Sequence, residues 1–212
     1  MVTYRLTEGR IPAYLDIDGR TTPVWRQQRF LDRPHGETVR RSGCGHCCTA
    51  MALQLHGAEM DPHDEYEYCL RLWGEPQDHQ GRYLSVGGIT AVLRSFHVAA
   101  ECFGVDDPAR ATQHILSALA EGRQVIFWSA PSPDFPDNPF SRGSHYVMAF
   151  GFDEAGLVLV ANSSERWGAP PVQQVTADTI RRALFDGCTA DKNKTWAEPA
   201  DHRGCAGYVI VG

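Results

Sequence analysis

No stretch of this sequence stays apolar for anything near the roughly 18 residues that a membrane-spanning helix needs, so neither a span nor a membrane partner is expected. Positive charge is also scarce: 20 Lys and Arg stand against 26 Asp and Glu, a net charge of -6. Nucleic acids and anionic membrane surfaces both demand basic surface, so no nucleic-acid partner is expected either. The opening "MVTYRLTEGRIPAYLDIDG" has no basic segment, hydrophobic core or small-residue cleavage site, and a cytoplasmic location is expected. Internal repeats and low-complexity tracts are missing too, which excludes solenoids and linker-rich architectures.

What is there suits a soluble globular protein. The 212 residues, 42% hydrophobic and 22% charged, can bury a sizeable core in a single domain over 1–212. The first forty residues read as an extended N-terminal arm with loops: "RIPAYLDI", "TPVWRQQRF" and the polar run "LDRPHGETVRR". Residues 44–56 form a helix closed by Gly57, apolar almost all round and therefore internal. Asp61 and Pro62 open a second helix, and Ile89, Val92, Leu93 and Phe96 mark one face of a third. Asp107 and Pro108 open a fourth, with Ala111, Ile115, Ala118 and Leu119 inward and Gly122 as stop. Strands follow in "RQVIFWSA", "HYVMAFGF", "LVLVAN" and "CAGYVIV", with a Pro-rich loop over 131–143 and a late helix capped by Thr176. Helices first and antiparallel strands later, without regular alternation, give an α+β fold.

The chemistry concentrates in "GCGHCCTAMAL", residues 43–53, with three of the seven cysteines. An odd count and no export signal favour thiols over disulfides. A zinc module through Cys44, Cys47, Cys48 and Cys205, in "HRGC", is one rival reading. Adjacent cysteines packed as small hydrophobes are another. The third is a reactive thiol. Cys44 starts a buried helix after Gly43, where unpaired N–H groups and the helix dipole lower a thiol pKa. Such a thiolate needs a histidine and a polar group to orient it. Of the nine histidines, His145 alone begins an otherwise apolar strand. With "DEAG" as the turn, Phe152 faces Leu157, Val147 faces Asn162, and His145 becomes a diagonal neighbour of Asn162, about 7–8 Å away and within side-chain reach. The other reading of Asn162 is a strand-end residue capping a turn.

These residues resemble a known group. "GCGHCCTAMAL" is similar to the Cys-Gly-Pro-x-x-x-Ala-Met motif that opens the central helix of C39-like cysteine peptidases, in the papain-like clan, and "GSHYVMAFGFDEAGLVLVAN" resembles their histidine strand, turn and following strand. The likeness runs from Pro23 to Phe185. It implies a papain-like fold whose nucleophile helix packs against an antiparallel sheet. It implies a cysteine peptidase or amidohydrolase with Cys44 as nucleophile, His145 as base and Asn162 as its orienter. No metal or cofactor is implied, and the partner is a peptide or small amide substrate. A papain-type alignment would instead make Cys47 the nucleophile; Ala50 and Met51 favour Cys44. The family's oxyanion glutamine corresponds to Gln27, with Gln28 as the alternative. "NSSERWG" resembles the papain-type Asn-Ser-Trp-Gly, which would set Trp167 over the His–Asn bond; a core tryptophan is the other reading. A papain-like acyltransferase and a non-catalytic peptide-binding member of the same fold are the alternative functions. His46 departs from the motif by replacing its proline.

Overall fold

Two sheets organise the molecule. The computed structural model describes residues 2–8, 11–73, 85–130, 134–189 and 207–212, apart from the side chains of Trp167 and 185–189. Strands β1 (Val2–Leu6), β2 (Ala13–Ile17) and β3 (Arg20–Pro23) form an antiparallel meander where the sequence reads as an arm. Its second turn is Asp18-Gly19, both at positive φ (47° and 81°), as a two-residue hairpin linking right-twisted strands requires.

A 3-10 turn at Gln27–Phe30 and helix α1 (Gly36–Ser42) follow, so the polar run read as loop is partly helical. Gly43 alone separates α1 from α2 (Cys44–Leu55). A Cβ at Gly43 would lie 2.2 Å from the Val39 carbonyl oxygen, so only glycine lets the two helices meet so closely. Every α2 residue except Gln54 is buried, as its nearly continuous apolar character requires. Asp61 caps α3 (Pro62–Trp73) by accepting from the N–H groups of His63 and Asp64. Helix α4 is Val86–Ser95, capped by Ser85, and α5 is Pro108–Ala120, capped by Asp107.

The larger sheet adds β4 (Ala100–Phe103), β5 (Gln124–Ser129), β6 (His145–Phe152), β7 (Val158–Asn162), β8 (Val172–Val175) and β9 (Tyr208–Val211) in the order β4-β9-β5-β6-β7-β8, all pairs antiparallel. Both faces are covered, so β5, β6 and β7 are apolar along their length rather than alternating. Ile126, Tyr146, Met148 and Val209 pack with α2, α4 and β2; Phe127, Val147, Val160 and Ile210 pack with α5 and with α6 (Ala177–Thr189). The fold is α+β, with the buried α2 laid against β6 and β5.

The β6–β7 register departs from expectation in an instructive way. At the turn end Phe152 faces Val158, one residue off the sequence expectation of Leu157. A bulge between Ala149 and Gly151 absorbs the offset, and beyond it Val147 faces Asn162 as expected.

Candidate active site

His145 and Asn162 stand at the same end of the β6–β7 pair. The His145 Nε2 and Asn162 Oδ1 are 2.9 Å apart, and both side chains are buried. The amide of Asn162 is fixed by partners of known polarity. Its Nδ2 donates to the Phe140 carbonyl (2.9 Å) and to Gln173 Oε1 (3.2 Å), while its Oδ1 accepts from the Ser164 N–H (2.8 Å). Gln173 is fixed in turn, because its Nε2 donates to the Pro139 carbonyl. Oδ1 can therefore only accept, Nε2 of His145 must carry the hydrogen, and Nδ1 is the lone-pair nitrogen of a neutral ring. The tautomer follows from the hydrogen-bond chain.

The Pro-rich loop supplies much of this order. Phe140 is fully buried, its N–H donates to Asn138 Oδ1, and Asn138 Nδ2 donates to Ser129 Oγ and the Ala130 carbonyl. Residues 138–140 thus act as a bracket for Asn162.

Burial pushes the His145 imidazole down to about 4, against the raising effect of the Asn162 bond; the charges of Arg26 and Arg166 lower it further. This has a consequence for stability. Above about pH 6.5 the ring is neutral folded or unfolded. Below it the unfolded chain binds a proton that folded His145 refuses, so stability falls as the pH drops from 6.5 toward 4. The full effect is about 3 kcal/mol. Denaturant unfolding at pH 7 and pH 4.5 is expected to show a steeper acid loss for the native sequence than for His145→Gln, which has no such proton to exclude.

Arg26 joins the two halves of the site. Its buried guanidinium donates from Nη1 to the Asn162 carbonyl (2.9 Å) and from Nη2 to the Ala169 carbonyl (2.7 Å). Burial lowers Arg26 to about 10, which leaves it charged at neutral pH. The same charge acts on Cys47, whose thiol neighbours Ser163, the residue after Asn162. The first turn of α2 therefore lies at the His145–Asn162 end of the sheet. No sequence signal singled out Arg26 beyond its place in the otherwise largely apolar "PVWR".

The three clustered cysteines differ. Cys44, the first residue of α2, keeps 8% of its surface, whereas Cys47 and Cys48 keep none. Burial pushes the Cys47 and Cys48 thiols well up, and neighbouring Cys44 adds to both effects. Gln27 begins the 3-10 turn, and the long gap between it and Cys44 is taken up by that turn and α1. The chain thereby doubles back, so that Gln27 Nε2 donates to the carbonyl of Arg40 (2.7 Å) at the end of α1. Gln28 points elsewhere: its Oε1 accepts from the Glu165 N–H.

Behind α2, His46 Nδ1 meets the Glu65 carboxylate, and Cys69 Sγ donates to Glu65 Oε1. These three donor groups lie within 4.8 Å of one another, a set a metal could use, and all are buried. Cys205 and His202 of the zinc reading, and the side chain of Trp167, lie outside the described residues. A groove of about 660 Å³ lined by Phe103, Arg110, His114 and Tyr208, among others, shares no residue with the site. Among the described residues no helix is long and apolar enough to cross a membrane.

A family model, the Peptidase_C39 like family, matches residues 21–186. No curated protein matches the chain. Among solved structures, a Bacillus anthracis protein assigned as a C39-like peptidase superposes with a TM-score of 0.50 at 12% identity, over 80% of this chain and 88% of that one. At that identity the likeness is one of fold.

Proposed function

The chain belongs to the Peptidase_C39 like family, and from that premise we propose that it is a thiol hydrolase of peptide or amide bonds, with Cys44 as nucleophile, His145 as base and acid, and Asn162 as orienter of the imidazole. The observation that carries this reading is the His145–Asn162 bond, with the amide locked so that Nδ1 is left to take a proton. A neutral imidazole at physiological pH is the form a general base needs. Cys44 is favoured over Cys47 by position: it opens the helix, where the dipole favours a thiolate, and it is the less buried of the two residues.

In the proposed reaction His145 Nδ1 takes the Cys44 proton and the sulfur attacks the substrate carbonyl. The Cys44 N–H and the Gln27 amide hold the negative oxygen that develops. The imidazolium then gives its proton to the leaving amine, and a thioester remains on Cys44. Water, deprotonated by the same nitrogen, attacks the thioester and releases the acid.

Gln27 is favoured as the oxyanion donor because its amide sits at the end of α1, one turn ahead of Cys44, with one Nε2 hydrogen engaged by Arg40 and a second to offer. Gln27→Ala is expected to lower kcat on a peptide substrate by about 10²–10³. Gln28→Ala, which removes only the tie to Glu165, should change it little; the reverse result would transfer the role to Gln28.

A further inference from the structure

The first turn of α2 reads Cys44-Gly45-His46-Cys47, a Cys-x-x-Cys spacing that the hydrolytic reading uses only at its first position. Side chains three apart on a helix have Cβ atoms about 5–6 Å apart, and a disulfide needs about 3.5–4.5 Å. The approach is short, and Cys44, as the first helical residue, has no preceding turn of α2 to hold it back. The structure has both sulfurs as thiols, near enough for the charge of one to bear on the other.

Their surroundings divide the labour. Cys44 has surface and Cys47 has none. Cys44, at the edge, and Cys48 pack into the apolar cluster around α2, whereas Cys47 lies outside that cluster and feels the charges of Arg26 and Glu65. Glu65 is held in place by His46 and Cys69. A less buried sulfur at the positive end of a helix beside a fully buried one is the division found in dithiol pairs, where one sulfur reacts and the other resolves.

We propose that Cys44 and Cys47 form a reversible redox pair in which a hydroperoxide oxidises Cys44 and Cys47 closes an intramolecular disulfide. In the first step the Cys44 thiolate attacks one peroxide oxygen. The O–O bond breaks, the departing oxygen leaves as alcohol or water after taking a proton, and Cys44 becomes a sulfenic acid. In the second the Cys47 sulfur attacks the Cys44 sulfur, the S–O bond breaks, and hydroxide leaves with the Cys47 proton as water. Two thiols have lost two electrons to the peroxide. A dithiol reductant reverses this by attacking Cys44, the less buried of the two residues, so that Cys47 departs and regains its proton. Its second thiol then frees Cys44 and the reductant leaves as a disulfide. While paired, Cys44 is withheld from other chemistry and shielded from irreversible oxidation.

The test needs no substrate, so it stands or falls apart from the hydrolytic reading. The reduced full chain is treated with increasing hydrogen peroxide, alkylated, digested and weighed. The expected result is the loss of two alkylatable thiols together, a Cys44–Cys47 link lighter by two hydrogens, and full recovery with dithiothreitol. Cys48→Ala should behave like the native sequence. Cys47→Ala should instead give a dimedone-reactive sulfenic acid at Cys44 and then a sulfinic acid that dithiothreitol does not recover. A Cys44–Cys48 link, loss of the Cys44 thiol without that of Cys47, or a Cys44 that peroxide leaves alkylatable would each overturn the proposal.

Discussion

Cys44→Ala is expected to lower kcat/KM on a peptide or amide substrate by about 10⁴-fold or more, with the melting transition nearly unchanged. The size follows from what is removed: without the sulfur no thioester can form, and the imidazole and oxyanion donors have no nucleophile to serve. The small structural cost follows from the size of the change, one sulfur atom removed at the start of a helix with the Cβ retained. Cys47→Ala and Cys48→Ala are the controls, since burial holds both thiols protonated and away from solvent. Iodoacetamide at pH 6 should accordingly label Cys44 before either. Measured turnover that survives Cys44→Ala but fails with Cys47→Ala would move the nucleophile by one helical turn.

A comparable loss is expected for His145→Ala, about 10⁴-fold in kcat/KM, and the double variant Cys44→Ala/His145→Ala should be scarcely worse than either single one. Residues that act as one unit do not add. The single change also strips Asn162 of one partner but leaves its amide tied to Phe140, Gln173 and Ser164. The loss should therefore appear in kcat without loss of the fold, which circular dichroism can check. If the two losses multiply instead, the groups act independently and the shared proton transfer is wrong.

Much of this was legible from residue order. The caps at Asp61 and Asp107 and the internal character of α2 rest on local chemistry or periodicity, whereas the Val147–Asn162 pairing agrees with expectation because the bulge in β6 offsets a turn register one residue off. Helix α1 was not legible: seven residues, "GETVRRS", bury only Gly36 and Val39, and packing on the 3-10 turn and α3 rather than propensity makes them helical. The β2–β3 hairpin is legible in principle, because Asp-Gly between alternating residues is a strong turn signal. The role of Arg26 was hidden because its acceptors, the carbonyls of Asn162 and Ala169, are more than a hundred residues away along the chain. His46 offered a fainter clue. A polar ring in a helix apolar on all sides must find a buried partner, but only the packing of α3 against α2 identifies it as Glu65.

The extra residue in β6 has a consequence for how the hairpin tolerates change. Because the offset is taken up between Ala149 and Gly151, alignment at the His145 end is dictated by β5 and β8 on either side, not by the loop at the far end. Glu154 and Ala155 are exposed there. A peptide tag or fluorophore spliced into that tip would ride on the molecule without disturbing the distant pair, which makes it a natural handle for attaching a reporter.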